Sequence, residues 1–396
     1  MQDSPSQNNP TRIFNRTFVT LLFVSMAMNM GQNMSNTLIS KYAKFLGGTP
    51  EVIGMVSSLF AVTALAFKLI SAPAIDTFNR KYILIGSMSV LGVAFSGFAL
   101  SHSISALVFS RLIQGTAMAF TTTCCLTLAS DALPQNKLGS GLGVFSLAQA
   151  ICQAIGPTIG LTLAGNFGYN IAFASSAVMI FLSVITTFFI HNEHTSGRKF
   201  KIAISSIIAK EALPPAVLMF FLSMTFSAIS SFLVVYAEEY HVENIGYYFT
   251  VYALTLLITR PIVGRLSDTF GTVKVILPAM FFFALSFISI SFSRTLVMFL
   301  FSAFISAFGY GACQPAVQAL CMRCVPHERR GAGSCTSYIG TDCGMLAGPV
   351  IGGLIASSVG YPAMWRFMII PILFAAAFAF FYRNTINRLE GFSAKK

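Results

Sequence analysis

Apolar stretches of about 20 residues, the length that spans a hydrocarbon core ~30 Å thick as α-helix, recur along the chain from Phe18–Ile39 to Pro362–Phe381. Twelve such stretches are read. Transmembrane barrel strands would instead alternate apolar and polar residues over ~10-residue segments, and that alternation is absent. Only 10% of the residues are charged and 55% are hydrophobic. Soluble domains carry ~25% charged residues, so this chain lacks the polar side chains to wet a globular surface. The expected fold class is an all-α membrane protein with twelve transmembrane helices.

The net charge of +12 would suit a nucleic-acid partner, but its placement does not. Lys41, Lys44, Arg294 and Arg366 fall at one end of the spans, and Lys68, Arg111 and Arg260 fall within them. The remaining 18 of the 25 basic residues collect at the end that carries both termini. Such a bias marks the cytoplasmic side. It makes the bilayer of a plasma or inner membrane the partner, puts both termini in the cytoplasm and leaves no role for nucleic acid. The first stretch runs past 20 residues without a small-residue cleavage site, so it reads as a retained helix rather than a signal peptide. Cys321 and Cys324 form a C-x-x-C pair with no second pair or His cluster to complete a metal site. Neither a metal nor a cofactor is expected.

Sliding the sequence against itself by 192 residues superposes Ile53-Gly54 on Ile245-Gly246, Lys68 on Arg260, and Asp76-Thr77-Phe78 on Asp268-Thr269-Phe270. The same shift brings Gly156-Pro157 onto Gly348-Pro349 and Gly168-Tyr169 onto Gly360-Tyr361. No gap is needed. The chain is therefore expected to be two six-helix halves, residues 1–190 and 214–396, joined by a polar, basic cytoplasmic linker at 191–213. Six is even, so both halves enter the bilayer from the same side and the repeat is parallel.

The segment Gly264-Arg265-Leu266-Ser267-Asp268-Thr269-Phe270-Gly271 resembles the G-x-L-x-D-R-x-G-R-R signature of the major facilitator superfamily. A worn first copy keeps Asp76 and Arg80 but has Ala72 and Asn79 where glycines would stand. "RLIQG", Arg111 to Gly115, resembles the R-x-x-Q-G motif of proton-coupled drug exporters. "GPTIG", Gly156 to Gly160, resembles the antiporter motif G-P-x-x-G-G, with Leu161 replacing its last glycine. The resemblance covers nearly the whole chain and points to the twelve-helix drug:proton antiporter branch. It implies two pseudo-symmetric bundles, a monomer, and alternating access with a small molecule and protons as partners. It also implies that Asp76, Arg80 and Asp131 latch a cytoplasmic gate, with Gly264, Asp268 and Gly271 forming the twin turn.

The residues themselves suggest further roles. An aspartate just past one helix end can cap the next helix. Lys68 and Arg260 are expected to snorkel to the cytoplasmic surface. Gly156 with Gly160, and Gly348 with Gly352, present small faces for close packing, beside Pro157 and Pro349, which each remove a backbone bond and allow a kink.

Charges inside spans are costly and mark function. Asp342 is the one carboxylate placed clearly at membrane depth. Taking it out of water favours the neutral acid, which suits a reversible proton carrier; a neighbouring donor would instead keep it ionised. Asn29, Gln32, Asn33 and Asn36 recur at three- and four-residue spacing, hence on one face of the first helix. Gln149 with Gln153 and Gln314 with Gln318 repeat the pattern on the fifth and tenth. Together with Arg111, Gln114 and Tyr252 they form the expected cavity lining. The expectation is a proton-coupled exporter of a small amphipathic molecule, the alternative being an uptake symporter or uniporter of a polar metabolite. The sequence presents no nucleophile–base constellation and no ATP-binding motif, so an enzyme is not expected.

Overall fold

A chain in hydrocarbon must satisfy its backbone hydrogen bonds internally, and each apolar stretch accordingly becomes a helix. A computed structural model describes residues 14–133, 138–190, 208–325 and 330–389. The first half holds α1 (Arg16–Phe45), α2 (Pro50–Thr77), α3 (Arg80–Leu100), α4 (Ile104–Asp131), α5 (Leu138–Phe167) and α6 (Tyr169–Phe188). The second holds α7 (Leu213–Glu239), α8 (Tyr247–Phe270), α9 (Thr272–Phe292), α10 (Leu296–Arg323) and α11 (Arg330–Val359). The last pass is broken at Met368 into α12 (Tyr361–Phe367) and α13 (Ile369–Phe381), and a short α14 (Arg383–Leu389) follows.

Among the described residues, nine passes are long and apolar enough to cross a membrane on composition alone. The passes α1, α5 and α8 are not among the nine. These three face the space between the bundles, where a helix need not be apolar all round. Elsewhere the surface is inverted relative to a soluble protein. Phe23, Val93, Phe109, Ile185, Phe301 and Phe374 each expose more than half of their area, which only lipid can cover at low cost.

Within the first bundle α1 packs on α5 and α6, α2 on α4, and α3 on α4 and α6; in the second, α7 packs on α11, α10 and α13, and α10 on α8 and α9. The bundles meet along two seams, α2 against α11 and α5 against α8, with α1 touching α7. The repeat exchanges the two seams, because α2 is the twin of α8 and α5 the twin of α11.

Close approach at these contacts depends on glycine. A Cβ at Gly160 would stand 2.5 Å from the Met34 carbonyl oxygen on α1, and one at Gly348 would stand 2.0 Å from the Met224 carbonyl oxygen on α7. Helix junctions keep the repeat as well. Gly168 and Gly360, superposed by the 192-residue shift, turn α5 into α6 and α11 into α12 with φ of 88° and 82°, a region open to glycine at little cost.

The acidic turns differ from the expectation. Helix α2 continues to Thr77 and α8 to Phe270, so Asp76 and Asp268 lie in the last turns of their helices rather than past the ends. Pro73 lies within α2 without ending it, and Gly271, with φ 87°, closes α8. Helix α3 is capped instead by Asn79, whose side chain accepts from the Lys81 N–H at 3.0 Å. The twin of Asn79 is Gly271, which opens α9 with φ 87°. The side chains of Asp76, Asp131 and Asp268, the surroundings of Gly264, and linker residues 191–207 lie outside the described residues.

Candidate functional site

Two faces of the bundle pair are distinguished here: the terminal face, where α1 begins and α6 ends, and the far face opposite. Between the bundles lies a small cavity of about 40 Å³. The first bundle supplies its polar wall, with Asn33, Asn36 and Thr37 from α1 and Gln153 from α5. The second supplies an aromatic wall, with Phe226 from α7 and Tyr248, Phe249 and Tyr252 from α8. Behind that wall the Phe226 ring stacks on Tyr310 at 4.1 Å, with 3° between planes, and lies 5.7 Å from Tyr252. Aromatic pairs of this kind form a rigid apolar surface.

Four of the expected lining residues, Asn33, Asn36, Gln153 and Tyr252, thus meet in one place. Others do not line it. Asn29 turns back on its own helix, its amide donating to the Ser25 carbonyl at 2.8 Å. Gln32, Gln149, Gln314 and Gln318 stand outside the cavity wall. The three- and four-residue spacing put the α1 amides on one helical face, but the cavity is short along the helix axis and takes only two of them.

Arg111 is also displaced from the cavity. It is 2% exposed and donates to Gln114 Oε1 at 2.7 Å, to Asn36 Oδ1 at 3.2 Å and to the Ser57 carbonyl at 3.4 Å. Its guanidinium lies 5.1 Å from the centre of the Phe60 ring. Arg111 therefore ties α4 to α1 and α2, and reaches the cavity only through the Asn36 amide that it orients. The Arg111 Nε and the Gln114 Nε2 are buried without a partner.

The expected surface position of Lys68 is overturned. Its ammonium forms an ion pair with Asp342 across the α2–α11 seam, the two side chains being 13% and 11% exposed, and it lies 5.1 Å from the Tyr338 ring. The reason is geometric. The Cα–Cβ bonds of a helix tilt toward its N-terminus, and α2 begins at the far face, so Lys68 leans into the bilayer middle and away from the terminal face. Helix α11 runs the other way, and Asp342 leans down to meet it. Sequence reading isolated Asp342 but missed its partner.

At the far face the bundles are tied repeatedly. Glu238 on α7 takes Lys41 at 2.8 Å and Lys44 at 3.9 Å, and Lys44 also donates to the Val235 carbonyl at 3.4 Å. Ser357 on α11 donates to Glu51 on α2 at 2.6 Å. Thr158 on α5 donates to the Gly246 carbonyl at 2.9 Å, and Thr250 on α8 to the Ala154 carbonyl at 3.1 Å. Sequence reading did not assign these ties, although a readable signal existed: basic Lys41 and Lys44 face acidic Glu51, Glu238 and Glu239 at the same end. On the terminal side of the middle, Lys68–Asp342 is the one ion pair between bundles among the described residues. Arg80 donates from Nε to the Ile75 carbonyl at 3.2 Å.

A family model of the Major Facilitator Superfamily matches residues 21–243 and 215–395. The chain belongs to this superfamily. It is 24% identical over 339 residues to a protein of Lactococcus lactis described as a multi-drug resistance efflux pump PmrA homolog, covering 81% of this chain and 84% of the relative. It is also 24% identical over 406 residues to the multidrug resistance protein MdtG of Escherichia coli, covering 97% and 98%. Among solved structures, a bacterial homolog of the human lysosomal transporter Spinster superposes with a TM-score of 0.78 at 14% identity, over 97% of this chain and 99% of that one. The transporter is thus a multi-pass membrane protein that moves small molecules.

Proposed function

We propose that this transporter exports small amphipathic molecules in exchange for protons, by alternating access of two rocking bundles. In this reading it works as a monomer in the cell membrane with both termini in the cytoplasm. The observation that carries it is the Lys68–Asp342 pair, a titratable carboxylate joined to a cation on the other bundle. The multidrug relatives support the direction of transport.

The cycle follows from what each state does to that pair. With the far face tied shut, the site looks to the terminal side, Asp342 is ionised, and its proton has left inward. Cargo enters between the amide and aromatic walls. Opening the far face requires breaking the Lys41–Glu238 and Glu51–Ser357 ties and parting the bundles. A proton arriving from outside neutralises Asp342 and releases Lys68, and cargo leaves. Asp76, Arg80 and Asp131, with Gly264, Asp268 and Gly271 as their twin, latch the cytoplasmic gate while the site faces outward.

The test is Asp342→Asn in proteoliposomes. Asparagine is nearly isosteric with the protonated acid but cannot release a proton. The parent is expected to drive cargo against its gradient when a pH difference is imposed, and the variant only to equilibrate it. A variant that still concentrates cargo with the parent's pH dependence removes Asp342 from the mechanism. Orientation is tested by single cysteines: one at Ser196 reacts from the cytoplasm and one at Asn244 from outside. Reaction of both from one side contradicts the topology.

A further inference from the structure

The repeat that pairs α2 with α8 also pairs Lys68 with Arg260, and it pairs Asp342 with Ala150. One seam therefore holds a cation and its acid. The other holds a cation and, at the acid's position, a buried alanine 3% exposed. Arg260 stands ten residues from the end of α8, on the order of 15 Å from the terminal face at ~1.5 Å per residue. Helix α8 begins at the far face, so the same Cβ tilt that carries Lys68 inward carries Arg260 toward the middle. Its side chain is only partly exposed, its Nε is enclosed without a partner, and among the described residues it makes no hydrogen bond or ion pair. It lies eight residues beyond Tyr252 on the same helix, about 12 Å along the axis at ~1.5 Å per residue. Tyr252 is part of the cavity wall.

An unpaired cation at this depth is costly, and membrane proteins keep such groups where a partner comes and goes. The surroundings define that partner. The α5 helix opposite offers only neutral amides, Gln149 and Gln153, of which Gln153 reaches the cavity and makes no hydrogen bond among the described residues. The α7–α10 side offers the stacked rings of Phe226 and Tyr310.

We infer that Arg260 is the seat for an anionic group on the cargo, which supplies the acid missing from the α5–α8 seam, while the cargo's aromatic or apolar body lies on the Phe226–Tyr252–Tyr310 wall. The preferred cargo class is the amphipathic organic anion, an aromatic carboxylate above all. This rests on the export reading for its biological sense, but the seat itself is a binding property of the inter-bundle site.

The experiment uses the purified full chain and three probes of one shape: 1-naphthoate, 1-naphthamide and 1-naphthylmethylammonium. Binding is read by equilibrium dialysis and by the rise in unfolding temperature. A charge-assisted hydrogen bond contributes ~1.5–3 kcal/mol, so naphthoate is expected to bind about tenfold or more tightly than the amide, with the ammonium weakest. Arg260→Gln should erase that preference while leaving amide binding unchanged, and Arg260→Lys should keep part of it. Ala150→Asp, which restores the twin acid, should occupy Arg260 internally and also erase it. Equal binding of naphthoate and naphthamide by the parent overturns the inference, as does a preference that survives Arg260→Gln. Proton coupling is read separately: Arg260-dependent anion preference in a protein that shows no pH-driven uphill transport refutes the exchange mechanism and leaves the anion seat standing.

Discussion

The two bundles share a backbone plan and differ in chemistry. Gly168 and Gly360 make the same left-handed turn, and the Gly-Pro motifs of α5 and α11 pack closely on α1 and α7. Yet the first bundle lines the cavity with amides and buries Arg111 behind them, where the 192-residue shift puts Ala303 in the second. The second bundle builds its wall from Phe226, Tyr248 and Tyr252, where the first has Met34, Val56 and Phe60. Duplication thus fixed the turns and close contacts, which tolerate little change, and left the walls free to diverge. A site between unlike walls can grip one end of a molecule by polarity and the other by area.

The comparison breaks most readily at the twin cations. Lys68→Met strands a mostly buried Asp342, and losing one member of a buried pair costs ~3–5 kcal/mol; a marked fall in unfolding temperature is expected. Arg260→Met removes a cation that has no partner among the described residues, so the unfolding temperature should stay level or rise. Equal falls for both variants would show that Arg260 has a structural partner, and the asymmetry of the seams would be lost.

The glycines sharpen the comparison at a middle scale. A Cβ at Gly348 would meet backbone, the Met224 carbonyl oxygen at 2.0 Å, whereas one at Gly156 would meet the Asn33 Cβ at 2.8 Å, with the nearest backbone atom, the Met34 nitrogen, at 3.3 Å. At the second position the order reverses: Gly160 faces the Met34 carbonyl oxygen at 2.5 Å, and Gly352 faces the Phe232 ring at 3.0 Å. Overpacking costs ~1–3 kcal/mol, and side chains yield more easily than backbone. Thermal denaturation of the four alanine variants is expected to rank Gly348 above Gly156 and Gly160 above Gly352. A ranking that follows the bundle rather than the contacted atom would contradict these geometries.

The smallest effect belongs to the far-face ties. The Lys41–Glu238 pair is 27% and 30% exposed, and such pairs contribute ~0.2–1 kcal/mol. Glu238→Gln should therefore leave unfolding almost unchanged, yet hasten labelling of a cysteine placed at Ser230 by an impermeant reagent from the far side, by up to about fivefold. Unchanged labelling would mean that the threonine contacts between α5 and α8 hold the face closed alone.

Much of this architecture was legible because the bilayer imposes strong rules on sequence. The helical passes, the repeat and the Gly-Pro contacts all follow from length, hydropathy and spacing. The break at Met368 had a readable signal in Pro371, whose ring excludes the helical hydrogen bond to the Phe367 carbonyl four residues earlier, but a reading by hydropathy passes over it. Lys68 was misread because snorkelling considers only distance to the nearest surface, while the direction of α2 decides where its side chain leans. The Lys68–Asp342 and Lys41–Glu238 pairs join residues 274 and 197 positions apart, and no local pattern announces a partner that tertiary packing selects. Arg111 shows the converse: its motif was recognised, but its place behind Asn36 depends on how α1, α2 and α4 pack.

The cavity of about 40 Å³ has room for a few waters at most, far below the ~300 Å³ of an ordinary ligand site. As it stands the space between these two walls is too small for cargo, and a ligand seated there binds a minority population in which the walls have separated. Were that population about one molecule in a hundred, every apparent affinity would be weakened about 100-fold. Alterations that prop the bundles apart should then strengthen all cargoes by one common factor and preserve their order. Alterations to the walls should reorder them, so the rank order of ligands, and not the strength of any one, reports which atoms touch the cargo.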